Sequence, residues 1–420
     1  MDRPTEWFEQ ARFGLFIHWG IYAGAARHEW VRSRERMTED QYRPYFDHFE
    51  PDLYDPEAWA DQAWRAGMRY VVITTKHHDG FCLWDSALTG YTATHTPHGR
   101  DLLRPMLDAF RERGLRIGLY HSLLDWHHPE YPIDLHHPQR DDPAARARPR
   151  DVARYADYLH GQVRELMTGY GRIDLAWFDF SFPGQGENAK GAPQWRSDQL
   201  LAMVRELQPD ILVNNRLDLG TGDFLTPEQI QPDAATVAQF PPGVPWEACQ
   251  TLNGSWGYDR DNLDWKSPEL LIRMLVDTVS LGGNLLLNVG PNARGEFEPR
   301  ARERLRAIGD WMRPHERSIR GAGPSPYTPP PDARYTQVGN RLYLHLFAWP
   351  MRHLHLPGLA GRVAYARMLH DGSEVRRAEA DPDGLLQHFA TAAPPDTLSL
   401  LLPAHRPEVA VPVIELILRG

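Results

Sequence analysis

The chain has 420 residues, too many for one ordinary domain and enough for a large barrel with a smaller partner. A formal net charge of −10, with no Lys/Arg block, argues against a broad nucleic-acid surface, and 42% hydrophobic with 24% charged residues is a soluble globular make-up. Two cysteines, Cys82 and Cys249, indicate no disulfide framework, and no apolar run reads as a signal-peptide core or a membrane span, so a cytoplasmic enzyme is expected. The informative excess is 14 Trp and 20 His, many beside Gly, Asp and Asn rather than at helical spacing. Such residues cover the C–H faces of a sugar and bind its hydroxyls, but they also fill aromatic cores, so placement has to decide.

Taken in order, an apolar run over 13–18 ends in His18-Trp19-Gly20. A helical pattern over 56–66 leads to the run 70–75, which ends in Lys76-His77-His78-Asp79-Gly80. The pattern 101–113 leads to 116–121, ending in Tyr120-His121-Ser122 with Asp125-Trp126 just beyond. A longer helical segment, 152–167, precedes 173–180, which carries Trp177-Phe178-Asp179. The pattern 198–207 precedes 211–215 with Asn214-Asn215-Arg216, and 268–281 precedes 284–289 with Asn288-Val289-Gly290. Repeated helix-then-buried-strand units predict a parallel sheet with helices outside. Six such strands over roughly 300 residues predict a (β/α)8-like barrel with one or two strands unplaced, and polar groups at successive C-terminal strand ends are how that architecture builds an active site.

After a last helical stretch over 300–312, Gly321-Ala322-Gly323-Pro324 and Pro329-Pro330-Pro331 read as a linker. Alternating runs at 341–347, 362–368, 397–402 and 409–417 predict a small antiparallel β-sandwich. The expected division is a catalytic barrel over 1–322 and a sandwich over 323–420 that packs against it.

Asp179 is a lone carboxylate at the tip of a hydrophobic strand, a rigid mount for a glycosidase nucleophile and equally a place for a helix cap. Alternation along a strand predicts that only one of His77 and His78 faces the pocket. Their adjacency, without a His-Glu-x-x-His or Cys-x-x-Cys pattern, speaks against a metal and for hydroxyl binding. Arg216 can bind a hydroxyl or hold a carboxylate ionised. Glu247, between Trp246 and the apolar Ala248-Cys249, reads as strand-borne, whereas Glu228 follows the glycine-rich 220–224 and reads as lying over a pocket mouth. Trp256, beside Gly257, reads as a ring presented by a loop or as a core plug.

The segments Phe13-Gly14-Leu15-Phe16-Ile17-His18-Trp19-Gly20, Lys76-His77-His78-Asp79-Gly80-Phe81, Trp177-Phe178-Asp179, Trp256-Gly257-Tyr258 and 282–291 (GGNLLLNVGP) together resemble glycoside hydrolase family 29, the α-L-fucosidases. The resemblance implies retaining hydrolysis of terminal α-L-fucose, possessing no cofactor or metal, on a fucosylated glycan with no nucleic-acid or membrane partner. It implies Asp179 as nucleophile and His18, Glu29, Trp30, His77, His78, Trp177 and Arg216 as fucose-binding residues, with Trp256 near the sugar methyl. Tyr120 or His121 falls at a further sugar contact, where the family pattern has paired tyrosines. Glu228 and Glu247 are both acid/base candidates; Glu228 is chosen, because one branch of the family carries this residue in a Thr-x-Glu context. The wording around Trp256 leans toward the branch acting on α-1,3- and α-1,4-linked fucose. Two other readings use the same residues: a metal-dependent hydrolase built on the histidines, and a non-catalytic fucose-binding barrel.

Overall fold

The computed structural model describes residues 5–184, 186, 188–378 and 396–420. Seven parallel strands form one curled sheet: β1 (Phe13–Ile17), β2 (Tyr70–Lys76), β3 (Arg116–Ser122), β4 (Leu175–Asp179), β5 (Leu212–Val213), β6 (Glu247–Thr251) and β7 (Asn284–Val289). Their spatial order is β5-β4-β3-β2-β1-β7-β6. The opening between β5 and β6 is filled by the segment 224–228. Parallel bridges join Phe224 to Asn214, Leu225 to Trp246 and Glu228 to Cys249. The Glu247 and Cys249 amides donate to the Leu225 and Pro227 carbonyls at 2.8 and 3.1 Å. These are the two staves that the sequence reading left unplaced, β6 and an irregular eighth.

The irregularity has a local cause. Pro227 has no N–H to donate, so the segment cannot make a full ladder on both sides. The chain enters it through Gly222, whose φ is +59°. A Cβ there would stand 2.6 Å from the Asn214 carbonyl carbon, which only glycine avoids.

The helices fall where periodicity puts them: Pro56–Arg65, Leu103–Glu112, Val152–Gly169, Ser197–Leu207, Pro268–Ser280 and Pro299–His315. Side-chain caps start several of them, with Asp55 accepting from Ala58, Asp151 from Ala153 and Ser267 from Leu270. Between the 224–228 segment and β6 stands only the four-residue helix Ala234–Val237. The helix–strand rhythm that made the other strands legible is missing there.

Among the described residues the C-terminal strands are β8 (Ala333–Val338), β9 (Arg341–Leu346), β10 (His353–Leu356), β11 (Val363–Met368), β12 (Arg376–Arg377), β13 (Leu398–Leu401) and β14 (Val413–Leu418). They make two antiparallel sheets, β11-β14-β9-β8 and β10-β13-β12, around a core that includes Leu342, Leu344, Leu356, Leu400 and Ile414. Tyr343, Phe347 and Val413 join the barrel's own core instead. Trp311 donates to the Val411 carbonyl at 2.8 Å and Thr336 to that of Ser318 at 2.7 Å, so the sandwich is bonded to the barrel as well as packed on it.

Candidate active site

Strand parity decides which side chains reach the lumen. Phe16, Tyr70, Val72, Tyr120, Trp177 and Leu286 meet inside the barrel, while the alternate residues Leu15, Val71, Leu119, Phe178 and Leu287 face the helices. His18 continues the parity of Phe16, and Asp179 that of Trp177. The small cavity at the C-terminal strand ends is lined by both, with Trp30, His77, His78, Tyr120, Phe180, Glu228 and Trp256 among their companions.

Asp179 is held from several sides. Tyr120 donates its hydroxyl to Oδ2 at 2.8 Å, and Arg216 donates to Oδ1 at 3.0 Å. Burial nevertheless raises its carboxyl to about 6; Arg216 and Tyr120 oppose the shift and Glu228 adds to it. The β4 backbone is also fixed, because the Asn214 side-chain amide accepts from Phe178 N–H at 3.0 Å and donates to its carbonyl at 2.8 Å. That amide replaces the ladder partner that β5 is too short to supply.

Arg216 organises the mouth. It donates to Asp179 through one terminal nitrogen and to Glu228 through the other, at 2.9 Å, while its Nε donates to the Thr226 hydroxyl at 2.9 Å. Its guanidinium lies over Trp177, 5.0 Å from the ring centre. The two carboxyl groups therefore share one planar fork, an arrangement compatible with the ~5 Å separation of a double-displacement glycosidase. Asp179 is buried, whereas the Glu228 side chain is 40% exposed at the entrance.

The histidines are neutral hydrogen-bonding groups. His18 Nδ1 faces the Asn288 carbonyl oxygen at 2.7 Å, and the same amide's nitrogen donates to the Trp256 carbonyl at 2.6 Å. Nδ1 thus carries the proton and Nε2 keeps a lone pair; burial lowers this imidazole to about 3. His78 Nδ1 bonds the Ser122 hydroxyl at 2.6 Å, and Ser122 itself donates to the Leu124 carbonyl. Its Nε2 lies 3.9 Å from Asp179 Oδ2. Burial holds both His77 and His78 well below the usual imidazole range.

Three expectations need correction. Both His77 and His78 line the cavity, because β2 ends at Lys76 and strand alternation no longer governs them. His121 is turned away: it has the outward parity, contacts the Thr75 hydroxyl at 3.0 Å and packs near Trp84. Glu247 is strand-borne, as its flanking residues indicate, but as a candidate acid/base it lies away from the cavity. It opens β6, at the N-terminal end of the barrel, where Tyr70 and Trp177 donate to its two oxygens. Glu29 is buried, its Oε2 accepting from Gly257 N–H at 2.7 Å and so anchoring the loop that carries Trp256.

Sequence reasoning missed Phe16, Phe180, Thr226 and Asn288. Phe16 shares the parity of His18, and Asn288 sits in the strand-end motif already quoted, so both were within reach. Thr226 acts only through Arg216, which no spacing reveals. Among the described residues, no group of three or more His, Cys, Asp or Glu is placed to hold a metal ion.

A buried carboxylate and an exposed carboxyl on one guanidinium, in a pocket of neutral imidazoles and aromatic faces, is the equipment of a glycoside hydrolase, and this chain is one. It belongs to the α-L-fucosidase family, whose sequence profile matches residues 2–317. It is 31% identical over 379 residues to the tissue α-L-fucosidase of Bos taurus, covering 83% of this chain and 76% of that one. Among solved structures, α-L-fucosidase isoenzyme 1 from Paenibacillus thiaminolyticus is 46% identical, with a TM-score of 0.90 over 99% of both chains. A family 29 α-L-fucosidase from Bacteroides thetaiotaomicron, trapped as a covalent intermediate with 2-fluoro-fucosyl fluoride, is 28% identical with a TM-score of 0.84, over 100% of this chain and 97% of that one.

Proposed function

We propose that the protein is a retaining, exo-acting α-L-fucosidase in which Asp179 is the nucleophile and Glu228 the acid/base. The observation that carries this reading is the Arg216 fork, which brings a rigid buried carboxylate and a solvent-reaching carboxyl to the same cavity. Asp179 attacks the anomeric carbon of terminal fucose while Glu228 protonates the departing glycosidic oxygen. Water, deprotonated by Glu228, then cleaves the fucosyl–Asp179 ester and restores both groups. His18 and His78 accept hydroxyl hydrogen bonds through Nε2, and Trp256, Phe16 and Trp177 supply apolar faces for the ring and methyl.

Placing the acid/base at the entrance suits a substrate whose leaving group stays outside, as in removal of a terminal residue. The Trp256-Gly257-Tyr258 loop and the compact sandwich support a branched α-1,3- or α-1,4-fucosylated glycan as substrate, with the sandwich beginning near residue 323. The test is hydrolysis of an aryl α-L-fucoside and of a branched fucosylated trisaccharide, beside other glycosides. The first-formed fucose should have the α configuration by NMR, and kcat/KM should fall as pH drops through about 6, where Asp179 takes up its proton. Release of β-fucose first would exclude the double displacement. Turnover of the aryl fucoside alone would remove the linkage assignment.

A further inference from the structure

Immediately after Asp179 the backbone does something an aromatic residue rarely does. Phe180 has φ +81°, in the left-handed half of the map; the other non-glycine residues found there among the described residues lie between 50 and 60°. A bulky side chain is disfavoured at such an angle, and strain of this kind persists only where the surroundings hold it. Here they do. The Phe180 ring is wedged between Trp30, His78, His136 and Phe182, with centroids 5.3, 5.1, 4.8 and 5.8 Å away. Those rings come from three other loops and from the stretch that follows Phe180. That stretch is itself pinned, because Phe182 N–H donates to the Lys190 carbonyl at 2.8 Å and the Lys190 ammonium is buried against Asp134 at 2.6 Å. Phe180 follows Asp179 directly, so a wall that fixes the Phe180 Cα also fixes the C-terminal side of the Asp179 backbone.

We propose that Phe180 is a positioning residue for the nucleophile: its ring, locked in the aromatic wall, holds the left-handed turn next to Asp179 and so keeps that residue's backbone, and with it the carboxylate, in place against Tyr120 and Arg216. The inference rests on Asp179 being the nucleophile. It separates the ring's two conceivable duties, since a ring that merely seals the cavity would act on substrate binding and not on the attacking group.

Three variants decide it, compared with wild type on an aryl α-L-fucoside, with thermal unfolding to show that each folds. In Phe180→Ala the anchor is gone and alanine gains by leaving positive φ, so kcat should fall about 100-fold with KM nearly unchanged. Phe180→Gly accepts the left-handed turn at no steric cost and should recover about 10-fold of that loss. Phe180→Tyr keeps the ring and should stay near wild type. The acidic limb of kcat/KM should move to higher pH in Phe180→Ala, because a carboxylate that drifts from Tyr120 and Arg216 loses the donors that hold it ionised. Equal effects of Ala and Gly confined to KM, or wild-type kcat in all three, would overturn the proposal. Infrared difference titration of the Asp179 carboxyl in wild type and Phe180→Ala needs no substrate, and an unshifted titration also overturns it. Failure of the wild type to cleave any fucoside would instead sink the functional reading, with the titration still deciding the positioning.

Discussion

The mouth and the floor of the barrel each hold carboxyl groups, and they are treated in opposite ways. At the mouth Asp179 and Glu228 share the Arg216 cation, and Asp179 adds a tyrosine hydroxyl. At the floor Glu247 is fully buried and meets only the neutral donors Tyr70 and Trp177. Burial carries it up to about 7 against those two bonds. A buried carboxyl near neutrality is often read as a catalytic acid. Here burial raises a carboxyl away from the cavity as well as the one that lines it, so a raised value alone does not mark the site. Position and partners separate the cavity carboxyl from the one at the floor, and the titration range does not.

The largest effect should come from the mouth. Replacing Asp179 with alanine removes the attacking group and should cost about 10,000-fold in kcat with the fold intact by circular dichroism. Azide in its place should yield a fucosyl azide of inverted configuration. Near-wild-type turnover would take Asp179 out of the mechanism.

Next in size is the contrast between the two glutamates. Glu228→Ala should slow natural glycans with poor leaving groups by about 100- to 1,000-fold, spare activated aryl fucosides, and give azide products of retained configuration. Glu247→Ala should weaken all substrates alike and lower the melting temperature, since it strips the acceptor from two buried donors. If Glu247→Ala alone showed the leaving-group dependence, the two roles would be exchanged.

Smaller again are the pocket imidazoles. His18→Ala leaves a substrate hydroxyl and the Asn288 amide short of partners and should reduce kcat/KM by about 1–3 kcal/mol in transition-state terms. An effect on stability with none on kcat/KM would make His18 a core residue.

The smallest effect sharpens the floor. Glu247 has its folded-state pKa raised from 4.5 to about 7, so its protonated form stabilises the fold fully below pH 4.5, and this contribution is lost as pH rises through 7. Glu247→Gln cannot ionise, and its melting temperature should fall less than that of wild type across that window. Parallel profiles would mean that Glu247 is already ionised below it.

Much of the mouth was legible in the sequence, because apolar strands with polar tips mark both the lumen and its open end. Asp179, His18 and Trp177 could be placed from the strand pattern alone. Tyr120 and His121 could not be separated, since that choice depends on which face of β3 turns inward. The stretch around the glutamates was illegible for another reason. β6 reads Glu-Ala-Cys-Gln-Thr, with no apolar run, and Thr226-Pro227-Glu228 looks like a helix start although it closes the barrel. The sandwich strands β8, β10 and β12 went unread; β10 alternates His with Leu over only four residues and β12 is two arginines, so neither offers an apolar run.

The irregular eighth stave bears on what this scaffold can change. Asp179 sits in register with Ser122 on a ladder of five consecutive pairs, so one residue inserted in β4 would turn it toward the helices. Glu228 rides on a segment joined to its neighbours by isolated bridges and entered through the glycine-rich 220–222 turn. Leu225, Pro227 and Gln229 still exchange backbone hydrogen bonds with Pro245, Glu247 and Cys249, so the ladder is interrupted at Pro227 and not absent. On the roles proposed above, the attacking group stands on the regular sheet and the proton donor on its irregular closure. A change in the length of the closure would therefore shift Glu228 against an Asp179 that the five-pair ladder holds in register.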